Sequence, residues 1–161
     1  MKRTLLLMRH AKSSWKDLSL KDTERPLNKR GRHDAPKMGK RLNKEGYRCD
    51  CMISSPATRA YETAKAVAEA IGYREKILRD EGLYMADIED FLKVIAGVDE
   101  GVRHLMLVSH NPGIEAFFVH LTGERLDKFP TAAYALIEIS GTWSDPKPGR
   151  VLRFDYPKSG G

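Results

Sequence analysis

Cysteine is scarce in these 161 residues: two occur, both in Cys49-Asp50-Cys51. Period-2 alternation points them to the same side of a strand, which suits a disulfide poorly, and two ligands do not complete a tetrahedral zinc site. The expectation is a pair of buried, reduced thiols in a cytosolic protein. No apolar run approaches the roughly 20 residues that a membrane-spanning helix needs. Residues 1–3 ahead of the apolar stretch 5–8 have the charge order of a secretory signal, but the stretch stops at Arg9, too early for one. The reading is a soluble, cytoplasmic chain with no membrane partner. A glycine-rich Walker loop is missing, which removes the phosphate cradle of P-loop NTP hydrolases. Neither cysteine has an Arg six positions on, since Ser55 and Ala57 stand there, so the cysteine-phosphatase arrangement is excluded. The histidine spacing matches neither a metalloprotease nor a zinc finger.

What the chain does have is ordinary for a globular protein, with 41% hydrophobic and 31% charged residues. Its length predicts one domain over residues 1–161, with a mobile tail at 156–161. The formal charge of +6 is spread along the chain without a Lys/Arg tract. It reads as a mildly basic solvated surface, and no nucleic-acid partner is assigned.

Three apolar runs end abruptly in polar residues suited to a phosphate. Leu5-Leu6-Leu7-Met8 runs into Arg9-His10, Cys51-Met52-Ile53 into Ser54-Ser55-Pro56-Ala57-Thr58-Arg59, and Leu105-Met106-Leu107-Val108 into Ser109-His110-Asn111-Pro112. Read as buried parallel strands, they bring two His and two Arg to one sheet edge, where open α/β sheets bind ligands. Between them, residues 11–27 read as a long polar loop. A helix capped by Asn28 carries Ala35, Met38 and Leu42, is bent or begun by Pro36, and exits at Gly46. Ser55 as N-cap and Pro56 as first helical residue start a second helix with Ala60, Ala64, Val67, Ala68 and Ile71 on its apolar face, closed by Gly72. A short strand falls near 77–79, and Asp87 caps a helix with Ile88, Phe91, Leu92 and Ile95. Asn111 as cap and Pro112 at the first position begin another. Residues 134–139 and 151–154 read as closing strands.

A phosphoryl group needs a nucleophile in line with phosphorus and positive donors around its equatorial oxygens. The helix starts after Ser55 and Asn111 offer free N–H groups and positive dipole ends. Arg9 offers a bidentate guanidinium, and Arg59, in a first turn where a cation opposes the dipole, makes sense beside an anion. His10 is the candidate nucleophile. Nearby guanidinium charge would keep its ring neutral, and an acceptor such as a backbone carbonyl would fix its tautomer. His33, His104 and His120 lack such context and read as surface or packing residues.

Residues 5–13 resemble the Arg-His-Gly motif of the histidine phosphatase superfamily, with Ala11 in place of the usual Gly. Residues 54–63 resemble its second motif, and Val108-Ser109-His110-Asn111 its third. Arg25-Pro26-Leu27, Asn28-Lys29-Arg30-Gly31 and the short length are similar to the SixA-like phosphohistidine phosphatases. The resemblance implies a three-layer α/β/α fold with a mixed, mostly parallel central sheet, as in phosphoglycerate mutase. It implies no cofactor and no metal. His10 would become phosphorylated and then be hydrolysed by water, in a pocket formed by Arg9, Arg59 and His110 with Ser13 as an extra donor. Glu81 matches best the position of the general acid used on phosphate esters, with Asp80, Asp22 and Glu24 as rivals. Weak acid machinery would suit phosphohistidine, whose imidazole leaves easily once protonated. Only residues 11–27 and 80–87 lie near enough to cover the site, so an open, shallow pocket is expected. The implied partner is a phosphorylated protein bearing phosphohistidine. A small phosphate ester or sugar phosphate is the alternative substrate, and a non-catalytic phosphate- or phosphoprotein-binding module the alternative class.

Overall fold

The computed structural model describes residues 2–158. The three apolar runs are strands: β1 (Arg3–Arg9), β2 (Cys51–Ser54) and β4 (His104–Ser109), with β3 (Ile77–Arg79) beside β2 and β5 (Tyr134–Ile139) and β6 (Arg150–Asp155) closing the sheet. The order is β3-β2-β4-β1-β5-β6. β1 through β4 pair in parallel, whereas β5 runs antiparallel to both β1 and β6. The sheet is thus mixed and mostly parallel.

Unbroken apolar strands need both faces covered, and helices supply the cover. Leu5, Leu7, Leu105 and Leu107 pack on one side against α3 (Ile88–Ala96) and α4 (Gly113–Thr122), through Phe91, Phe117 and Phe118. Leu6, Met8, Met106 and Val108 face the other side, toward α1 (Lys29–Lys44) and α2 (Thr58–Ile71), where Ala35, Met38, Leu42, Ala60, Ala64 and Val67 are buried. The result is a three-layer α/β/α fold.

Several helix signals hold. Asn28 caps α1 by accepting from Gly31 N–H at 2.8 Å, Asp87 and Asp90 form a capping box on α3, and Gly72 ends α2 in the left-handed region. Four expectations need correction. Pro36 does not start α1, which begins at Lys29 and continues through it, because its face carrying Ala35, Met38 and Leu42 is buried and tertiary packing outweighs the lost hydrogen bond. α2 begins two residues later than expected, with Ala57 at the N-cap. Ser55 Oγ accepts from Ala57 N–H at 3.2 Å, outside the helix. Asn111 does not cap α4, whose N-cap is Pro112. Its amide donates instead to the Phe129 carbonyl at 3.2 Å and to Glu115 at 3.4 Å. The tail is anchored through Pro157, which is buried and whose carbonyl accepts from Lys37 at 2.8 Å and Arg41 at 3.1 Å. Arg41 also pairs with buried Asp155 at 3.1 Å. Residues 159–161 lie outside the described part.

Both thiols are free and half-buried. Burial pushes Cys49 up to about 12 and Cys51 in the same direction, so both stay protonated. Among the described residues, no helix is long and apolar enough to cross a membrane.

Candidate functional site

β2, β4 and β1 are neighbours and parallel, so their carboxyl ends reach the same edge. The chain leaves that edge in step: Ser55 N–H donates to the Val108 carbonyl at 2.9 Å, and His10 N–H to the Ser109 carbonyl at 3.0 Å. His10, Ser55 and His110 therefore converge, and the two imidazole centroids lie 5.1 Å apart. Both rings are buried, with 8% exposure each.

The tautomer of each ring follows from its partners. His10 Nδ1 lies 2.7 Å from the Ala11 carbonyl, which only accepts, so Nδ1 carries the proton and Nε2 the lone pair. Burial pushes this imidazole down to about 4, and Arg59, Arg9 and Arg25 add to the effect against the pull of the Ala11 bond. A neutral ring with a free Nε2 is the form that attacks phosphorus. His110 Nε2 lies 2.7 Å from Ser55 Oγ. Because Ser55 Oγ accepts from Ala57 N–H, its own proton is available for Nε2, which leaves His110 as the Nδ1–H tautomer. That Nδ1 is the one buried imidazole nitrogen without a partner among the described residues. Burial, then His10 and Arg59, push His110 down to about 3.

The arginines hold further unspent donors. Arg9 gives Nη1 to the Phe129 carbonyl at 2.9 Å, and Arg59 gives Nη1 and Nη2 to the carbonyl and carboxylate of Asp22 at 2.8 and 3.0 Å. Nε of each is buried and unpartnered. Buried donors left open cost free energy unless something occupies them. With His110 Nδ1, that makes three buried, unpartnered nitrogens on residues of this site, and both arginines act on His10 electrostatically. α2 and α4 both start beside this cluster with no side chain capping them.

Arg9, His10, Arg59 and His110 are thus brought together as expected. Ser13 Oγ accepts from Arg25 Nη1 at 2.8 Å, which joins it to the cluster and leaves its own proton free to donate. Glu81 is not drawn in. It opens a 3-10 turn (Glu81–Leu83), and its exposed carboxylate makes no hydrogen bond or ion pair among the described residues. Asp80 caps that same turn, and Glu24 accepts from Lys21 N–H. Asp22 does join the cluster, bonding Arg59, Arg25 and Tyr84, and Glu115 of α4 acts on Arg9 from beside Asn111.

Four residues here escaped the sequence reading as site members. Arg25 is buried, sits 3.5 Å under the Trp15 ring, and was visible only through its family likeness. Ser55 gave a cap signal and serves His110. Thr63 accepts from Ala11 N–H at 2.9 Å and donates to the Arg59 carbonyl at 2.8 Å, tying the His10 loop to α2. Tyr84 packs edge-on against His110 and donates to Asp22 at 2.6 Å. That last bond joins loop 11–27 to loop 80–87. His33, His104 and His120 lie elsewhere, bonding Asp34, bonding Thr4 and stacking near Phe117. No group of three or more His, Cys, Asp or Glu among the described residues is arranged to hold a metal.

Two histidines and two arginines at the carboxyl edge of a mostly parallel sheet define an α/β enzyme that handles phosphoryl groups. The chain belongs to the histidine phosphatase superfamily (branch 1), whose profile matches residues 5–91. It is 32% identical to a candidate phosphohistidine phosphatase SixA of Agrobacterium tumefaciens, with 96% of this chain and 98% of that one covered and a TM-score of 0.83. It is 33% identical to an uncharacterized chloroplastic protein of Arabidopsis thaliana, over 89% of this chain and 70% of the relative. A 2,3-bisphosphoglycerate-dependent phosphoglycerate mutase of Mesorhizobium japonicum is 32% identical over 56% of this chain and 45% of its own length. The family and the site together make the protein a phosphatase-type hydrolase.

Proposed function

We propose that this protein removes phosphoryl groups from phosphohistidine on other proteins, through a covalent intermediate on His10. The observation that carries the proposal is the His10 ring, neutral, with Nδ1 held by Ala11 and Nε2 free beside the unpartnered Nδ1–H of His110. In the first step the Nε2 lone pair forms a bond to phosphorus as the substrate's P–N bond breaks. The electron pair passes to the departing imidazole, which is neutral on leaving when its other nitrogen is protonated. Arg9, Arg59 and His110 donate to the equatorial oxygens, where charge builds up. In the second step water displaces His10 from phosphorus. The likeness to a candidate SixA supports phosphohistidine as substrate, and so does an Asp22 carboxylate that is ionised beside Arg59 rather than poised as an acid. A small phosphate ester is the second reading, favoured by the phosphoglycerate mutase relative.

The test is phosphate release by wild type and His10→Ala, without added metal, from a histidine-phosphorylated carrier protein and from p-nitrophenyl phosphate. Turnover should fall about 10³-fold or more in the variant, as for other lost nucleophiles. Preference for the carrier supports the protein substrate, and preference for the ester moves the assignment to small phosphates. Full activity in His10→Ala would falsify the covalent mechanism.

A further inference from the structure

We infer that the groove along the start of α1 docks an acidic surface of the phosphorylated protein, beside its phosphohistidine. The inference rests on the protein-phosphatase reading above and adds the feature by which such a partner is chosen.

The net charge of +6 forms no tract in the sequence, but folding gathers it. A groove of about 970 Å³ follows the first turns of α1, lined also by Ser14, Pro26 and Leu27 of the preceding loop and by Pro157 and Lys158. A smaller hollow of about 190 Å³ shares Arg30, Asp34 and Lys158 with it and continues to Lys12, Lys128 and Thr131. Together they hold eight of the 28 Lys and Arg but one of the 22 Asp and Glu, so the rest of the protein carries no positive excess. That one acid, Asp34, is buried and already paired with Arg30 at 3.4 Å. Arg32 and Lys37 donate to the carbonyls of Leu27 and Pro157, which leave their charge unopposed. Lys12, Lys16, Lys29, Lys128 and Lys158 are exposed and form no ion pair among the described residues.

A single pair of chain segments separates this face from the phosphate site. Ser13 pairs with Leu27, and Ser14 N–H donates to the Pro26 carbonyl at 2.8 Å. Ser13 and Arg25 bond each other, and Arg25 goes on to Asp22 in the cluster, whereas Ser14 and Pro26 line the groove. At the other end Lys12 stands two residues beyond His10, and Lys128 precedes Phe129, whose carbonyl holds Arg9. A protein that presents phosphohistidine to His10 thus lays its neighbouring surface over these cations.

Carboxylates fit this face better than a nucleic acid does. No Phe, Tyr or Trp lines the main groove, so bases would find no stacking platform there. Acidic side chains need only the charge, and opposite fields speed encounter and exclude wrong partners.

The probes are two synthetic peptides of equal length, each carrying one phosphohistidine made with phosphoramidate, flanked by Glu in one and by Gln in the other. Wild type should hydrolyse the Glu peptide with a kcat/KM roughly tenfold higher, through KM, and the preference should shrink as salt is raised. A triple variant, Lys16→Glu with Lys29→Glu and Lys158→Glu, should lose the preference. Its turnover of p-nitrophenyl phosphate should change less than about twofold, since none of the three bonds a residue of the phosphate site. The same three positions changed to Gln should give an intermediate preference, which separates charge from misfolding. Fluorescence anisotropy of the unphosphorylated Glu peptide reads the face without turnover, and wild type should bind it more tightly than the triple Glu variant does. Equal kcat/KM for the two peptides, or a preference that the triple variant keeps, would overturn the proposal. So would tighter binding of a single-stranded oligonucleotide than of the Glu peptide at matched charge, which would make this a nucleic-acid surface. If wild type hydrolyses neither peptide, the phosphohistidine reading fails, and the anisotropy comparison still decides on the docking face.

Discussion

His10 and His110 are identical side chains held in opposite ways, each by one neighbour. A carbonyl on Nδ1 leaves His10 its lone pair at Nε2, the atom that attacks in the proposed mechanism. A hydroxyl donating to Nε2 leaves His110 its proton at Nδ1. Ring-nitrogen NMR of the free protein should therefore show opposite tautomers, and neither ring should gain a proton between pH 8 and about 5, given values near 4 and 3. Titration of either near its ordinary 6.5 would contradict the buried site. Ser55→Ala should free the His110 tautomer, costing about 1 kcal/mol of stability and roughly tenfold in turnover. Thermal melts and steady-state kinetics check the two separately. At this scale Arg9, His10, Arg59 and His110 were legible because each ends a strand or opens a helix within a few residues of an apolar run. Asp22, Arg25 and Tyr84 were not legible as a group. They sit on two loops 62 residues apart at the Asp22–Tyr84 bond, and nothing local records that the loops meet.

Among the elements, the helix starts determine how the loops lie. Gly31 in the first turn of α1 and Gly113 at the start of α4 have no room for a side chain. A Cβ on Gly31 would lie 2.1 Å from the Lys12 carbonyl oxygen, and one on Gly113 2.0 Å from that of Ala86. The helix ends thus press directly on the backbones that follow His10 and Tyr84. Gly113→Ala should force the Ala86 backbone outward, costing about 1–3 kcal/mol, a typical cost of overpacking. It should also lower turnover at temperatures where the fold is intact, because Tyr84 lies two residues before Ala86. Denaturant melts paired with kcat test this; loss of stability with unchanged kcat would separate loop 80–87 from the chemistry. The two mistaken caps have one cause. Ser55 and Asn111 are good capping residues, but their side chains are turned toward His110 and the Phe129 carbonyl, both distant in sequence, and Asn111 Oδ1, the atom a cap would use, is left buried without a partner among the described residues. Cap signals weigh a residue against its own neighbours only.

For the whole molecule, the site has a measurable effect on stability. In the unfolded chain both imidazoles take protons near 6.5, whereas in the folded one they do so only near 4 and 3. Between those values the unfolded state binds more protons, so stability is full above about pH 6.5 and is lost as pH falls toward 4. Asp22, held near 2 from an ordinary 3.8, extends the loss in the same direction below pH 4. Urea midpoints measured from pH 7.5 to 4.5 should fall steadily, by on the order of a few kcal/mol. His110→Asn should flatten that fall. A profile with no difference between the two proteins would mean that His110 takes up protons alike folded and unfolded.

The division between chain and fold is physical. Local pattern by itself determined the four longer helices and the buried strands, since helical periodicity and unbroken apolar runs depend on neighbours a few residues away. It also determined the chemistry available at the strand ends, because Arg and His there have few structural reasons to be buried. Tertiary structure alone decided the strand order, with β4 inserted between β2 and β1, and so which strand ends became adjacent. It decided the His110 contact with Ser55, the placement of Asp22 rather than Glu81 beside Arg59, and the Tyr84 bond to Asp22. Each of these depends on a hydrogen bond between atoms far apart in the chain, and such bonds exist only after the sheet has brought their loops to one edge.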